Sequence, residues 1–106
     1  MDISDSLFQE IVRRIVSVSD PDRIIVFGSA ARGELTPDSD IDLLVLQSSA
    51  PDVMRQRVRL RESLRGLGVP FDVIVMSTER FEESKSVIGG IAYPAHKYGR
   101  VIYEAA

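Results

Sequence analysis

Apolar residues recur along this chain in two rhythms, and the switches between them outline the fold. In the stretch 5–18, DSLFQEIVRRIVSV, Leu7, Phe8, Ile11, Val12, Ile15 and Val16 return at helical spacing, with Arg13 and Arg14 opposite. That stripe predicts an amphipathic helix, capped by Ser4 or Asp5. Asp20-Pro21-Asp22 reads as a turn, and Arg23 to Phe27 as a short buried strand carried by Ile24, Ile25, Val26 and Phe27. The segment 28–39 is loop, with room for one helical turn after Ser29. A second strand follows from Ile41 to Gln47. Residues 48–52 open a helix with Pro51 tolerated in its first turn. That helix runs over 52–67, with Val53, Leu60, Leu64 and Leu67 inward and Gly66 and Gly68 as its stop. Phe71 to Met76 predicts a third strand, and Thr78 to Lys85 a short helix capped by Thr78 with an acidic first turn. Gly89-Gly90 breaks the chain. Ile91 to Tyr98 reads as a short helix or turn containing Pro94, and Arg100 to Glu104 as a last strand at an edge. The order predicts an α/β (α+β) fold, a small mixed sheet of about four strands flanked by helices.

Composition narrows the class. The 106 residues, 44% hydrophobic and 27% charged, suit a single globular domain over 1–106, without repeats or linkers. The absence of cysteine excludes disulfides, thiolate metal sites and cysteine nucleophiles. No basic-then-apolar leader and no run of membrane-spanning length is present, so a cytoplasmic location without a membrane partner is expected. A net charge of -3 argues against a general nucleic-acid coat protein. Arg55, Arg57, Arg59, Arg61 and Arg65 spread over several helix faces, which reads as a solvated surface paired with Glu62 rather than a nucleic-acid patch. Arg57 and Arg61 lie nearest the apolar stripe, which leaves a border of the cleft as the alternative reading for these two. The single histidine, His96, has no histidine or cysteine partner and reads as surface. Tyr93, Tyr98 and Tyr103 read as packing residues with a polar end.

The chemistry gathers where charge meets strand. Asp40 and Asp42 stand at the mouth of the second strand, two residues apart and therefore on one face. If the second and third strands are neighbours, Asp72 joins them. Clustered carboxylates repel one another and acquire raised pKa values unless a cation sits among them. Mg2+ takes oxygen ligands of this kind and combines one or two carboxylates with substrate phosphates. Two such ions clamp both oxygens of an in-line phosphoryl displacement. Gly28 lets backbone approach a phosphate closely, and the Ser29 hydroxyl and nearby N–H groups can donate to it. Arg32 reads equally as a charge-assisted phosphate contact and as a surface charge. The pattern is not a P-loop, since its lysine and second glycine are missing.

Gly28-Ser29, ten residues, then Asp40-Ile41-Asp42 resembles the signature of the DNA polymerase-beta-like nucleotidyltransferase superfamily. The fuller string FGSAARGELTPDSDIDLLVL, with FDVIVM and AHKYGRVIYE, resembles its minimal nucleotidyltransferases, often encoded beside HEPN-domain proteins. The resemblance covers nearly the whole chain and implies a polymerase-beta-like palm. It implies that Asp40 and Asp42 ligate two Mg2+ ions and that Asp72 ligates the catalytic one and helps deprotonate the acceptor. Gly28 and Ser29 would hold the β- and γ-phosphates of ATP or another nucleoside triphosphate. The implied reaction moves a nucleoside monophosphate, AMP in the first instance, to a hydroxyl of a protein partner and releases pyrophosphate. A HEPN toxin is the implied partner and the chain its antitoxin. Only residues 73–106 follow Asp72, so base selection is expected to be poor or completed by a partner, acceptor recognition to lie outside this chain, and self- or hetero-association fits. Two alternatives remain: a non-catalytic antitoxin that occludes a HEPN ribonuclease, and nucleotidylation of a small molecule.

Overall fold

The computed structural model describes residues 3–34, 40–48 and 52–106. Helix α1 (Ile3–Val18) precedes strand β1 (Arg23–Phe27), a 3-10 turn (Gly28–Arg32) and strand β2 (Ile41–Gln47). Helix α2 (Val53–Ser63), strand β3 (Phe71–Ser77), helices α3 (Thr78–Ser84) and α4 (Ala92–Tyr98), and strand β4 (Arg100–Glu104) complete the order. The four strands make one mixed sheet in the order β3-β2-β1-β4. β1 runs antiparallel to both β2 and β4, while β2 and β3 are parallel, as expected of strands joined through a helix.

Both faces of the sheet are covered, which explains why the central strands read as nearly unbroken apolar runs. On one face Ile24, Val26, Leu43, Val45 and Val73 pack with Phe8, Ile11 and Ile15 of α1 and with Leu60 at α2. On the other, Ile25, Leu44 and Leu46 meet Phe81 of α3 and Ala92 and Ala95 of α4. The alternation matters for the site. Asp42 shares its face with Leu44 and Leu46, so it opens toward the α3–α4 layer.

At the sheet's opposite end Asp22 ties the layers together. Its carboxylate accepts from the hydroxyls of Ser48 and Thr78, which hold it below its ordinary pKa. Its backbone N–H donates to Leu46 and its carbonyl accepts from Ala105, clamping β1 between β2 and β4.

The sequence pattern misplaces several ends. α1 already begins at Ile3, so the cap is neither Ser4 nor Asp5; Asp5 lies in the first turn and pairs with Arg100. α2 is capped by Asp52, whose side chain accepts from the Arg55 N–H, and it ends at Ser63. Leu64 still packs in the core and Leu67 against it, but from the turn beyond the helix; Val53 is exposed instead of inward. α3 is capped by Ser77, since the Thr78 hydroxyl is committed to Asp22. Pro94 falls in the first turn of α4, where its missing N–H costs nothing. Tyr98 is 59% exposed rather than packed, whereas His96 is on the surface as expected. Pro37, Ser39 and residues 49–51 lie outside the described residues.

Candidate active site

The site forms where β1 stops. The apolar run ends at Phe27, and Gly28 reverses the chain at φ +71, a left-handed conformation that side chains resist. The 3-10 turn is then pinned from below by Ala30, buried at 5% exposure. It closes through hydrogen bonds from Gly33 N–H to the Ala30 carbonyl and from Glu34 N–H to Ser29. Ser29 is thus half-buried on a fixed turn at the head of the sheet.

Register brings the carboxylates to the same place. Phe27 stands opposite Asp42, and Asp42 opposite Asp72, so the Gly28–Ser29 turn and two acidic side chains share one corner. Neighbouring strands lie about 4.8 Å apart, close enough for like charges to feel one another. The Asp42 carboxyl is pushed above its ordinary pKa, first by burial and then by the charges of Asp72 and Asp40. Gly28 and Asp42 also touch. A side chain on Gly28 would run into the Asp42 carboxylate, so both the backbone angle and the close approach call for glycine.

The other predicted residues are placed less tightly. Asp40 is exposed, just ahead of β2. Arg32 is exposed at the far end of the 3-10 turn and pairs with Glu34 at 3.4 Å. Among the described residues no three His, Cys, Asp or Glu side chains converge into a ready-made metal cage. The expected triad of carboxylates is therefore a facing pair, Asp42 and Asp72, with Asp40 beside it. Its donors are nonetheless hard oxygens, and Asp42 faces Asp72 directly across the strand pair. Those properties suit a divalent cation held by one or two carboxylates and substrate phosphates rather than by protein alone.

Arg57, read chiefly as part of a solvated face with a border of the cleft as the alternative, reaches from α2 to within 3.6 Å of Asp72. The available signal was its place nearest the apolar stripe.

A glycine turn beside paired aspartates at the head of a layered sheet is an arrangement able to hold phosphate and a cation together. Residues 6–94 match the family model described as "Nucleotidyltransferase domain", and the chain belongs to that family. It is a nucleotidyltransferase with the expected fold. It is 35% identical over 69 residues to protein adenylyltransferase MntA of Thermococcus cleftensis, a match spanning 64% of this chain and 69% of that one. It is 30% identical over 54 residues to MJ0141 of Methanocaldococcus jannaschii, named as a candidate protein adenylyltransferase. That match spans 51% of this chain and 54% of MJ0141. Among solved structures, a toxin-antitoxin crystallised with AMP-PNP superposes with a TM-score of 0.70 at 19% identity. The superposition covers 92% of this chain and 73% of that one, a likeness of fold.

Proposed function

We propose that this nucleotidyltransferase moves AMP from ATP to a hydroxyl of a protein partner, and that the partner is the HEPN-domain toxin of a toxin–antitoxin pair. The observation that carries the reading is the register setting Asp42 opposite Asp72 beside the Gly28–Ser29 turn. The names of the adenylyltransferase relatives support a protein acceptor, and the toxin-antitoxin structure with AMP-PNP supports the nucleotide and the kind of partner.

Gly28 and Ser29 hold the β- and γ-phosphates through close backbone approach and the Ser29 hydroxyl. Arg32 exchanges Glu34 for phosphate oxygen. Asp40 and Asp42 would hold two Mg2+ ions, with Asp72 as a further carboxylate ligand. When bound, the ions neutralise phosphate charge and polarise the phosphoryl group under attack. The acceptor oxygen bonds to the α-phosphorus as the bond to the bridging oxygen breaks. Asp72 receives the hydroxyl proton, and pyrophosphate leaves with the electron pair of the broken bond.

Intact-mass spectrometry of the neighbouring-gene product after incubation with this chain, ATP and Mg2+ tests the proposal. The partner is expected to gain one AMP moiety. Modification that persists unchanged with Asp40→Ala/Asp42→Ala protein would sink the assignment. A second reading, neutralisation by occlusion, draws support from exposed apolar residues, Met54 and Val58 on α2 and Val87 and Ile88 after α3. It requires the same double variant to neutralise the partner fully without modifying it.

A further inference from the structure

Resting on the metal-dependent reading above, we infer that Arg57 is the counter-ion of Asp72, a positioning residue that a divalent cation displaces on entering the site. Arg55 pairs with Asp52 and Arg65 with Glu62, each with a residue three positions before it in the chain. Arg57 instead crosses from α2 to β3, with Nη2 3.6 Å from Asp72 Oδ1. That separation is an ion pair without a hydrogen bond. Among the described residues the Arg57 Nε is buried without an acceptor, and the one ion pair of its charged end is with Asp72.

The two side chains are 42% and 49% exposed, and ion pairs that open to water are weak. The contact is strong enough to bias the Asp72 rotamer toward α2 and weak enough to exchange. It also places a positive charge in a corner where Asp42 faces Asp72 across the strand pair and feels the charges of both Asp72 and Asp40. A divalent cation serves the same purpose with twice the charge. Arg57 and the cation thus compete for Asp72, and Arg57 repels a cation bound beside it.

The sign of the consequence separates this role from a structural one. Mn2+ binding to the nucleotide-free protein, followed by electron paramagnetic resonance, is expected to tighten by about threefold to tenfold in Arg57→Gln. Arg57→Lys, which keeps the charge, is expected to stay within about twofold of wild type. Without metal Arg57→Gln should melt below wild type, and saturating Mg2+ should close the gap. A purely structural arginine would keep that gap with metal bound. Unchanged or weaker Mn2+ binding in Arg57→Gln overturns the role of Arg57 alone. Wild-type protein that binds no Mn2+ overturns the metal reading beneath it as well.

Discussion

Replacing Asp42 with Asn is expected to cut nucleotidyl transfer by roughly 10³-fold or more while leaving the protein at least as stable as wild type. The two halves of this prediction share one cause. Asp42 is the carboxylate that the fold treats worst: half-buried at the end of β2, faced by Asp72 and neighboured by Asp40, with its ionised form disfavoured. Asn keeps the shape and removes the charge, so the repulsion disappears together with the ligand. A carboxylate maintained at a cost in stability belongs at a functional site. Steady-state transfer rates and thermal melts of the same preparation check both halves. Loss of activity with a large fall in melting temperature would instead mark Asp42 as structural.

Gly28→Ala is expected to cost about 1–3 kcal/mol of stability and to reduce transfer by about 100-fold. A Cβ at φ +71 is strained wherever it occurs, and here it also meets the Asp42 carboxylate. The turn can relieve that contact only by moving Ser29 away from its phosphate-binding position or by turning Asp42 aside. Either movement separates the two parts of the site. Denaturant unfolding gives the first number and ATP-dependent transfer the second. A variant with full activity would show that the close approach of Gly28 to Asp42 is irrelevant to chemistry.

The central site was legible because strands and close turns leave strong local marks. β1 and β2 announce themselves through unbroken β-branched runs, and the parity of Asp40, Asp42, Leu44 and Leu46 fixes their shared face. The pairing of Asp42 with Asp72 is not local. It required β2 and β3 to be adjacent and in register, which the sequence offered only as a condition. Helix ends were least legible, because their residues answer to distant partners. Thr78 fits a cap by composition, yet Asp22, far back in the chain, takes its hydroxyl and leaves Ser77 to cap α3. Val53 fits an inner stripe, yet α2 meets the core chiefly through Leu60, leaving Val53, Met54 and Val58 exposed. Arg57 was obscured by its neighbours. With arginine at 55, 57, 59 and 61 of α2 and at 65 beyond it, the tertiary fold picks out the one facing a site carboxylate.

The most direct test of the account follows the label rather than the product. Wild-type protein is incubated with Mg2+, its partner protein and ATP labelled at either the α- or the γ-phosphate. The account predicts that the partner acquires the α-label, that the γ-label leaves as pyrophosphate, and that Asp42→Asn abolishes both. Transfer of the γ-label to the partner, or α-labelling undiminished in Asp42→Asn, would contradict it.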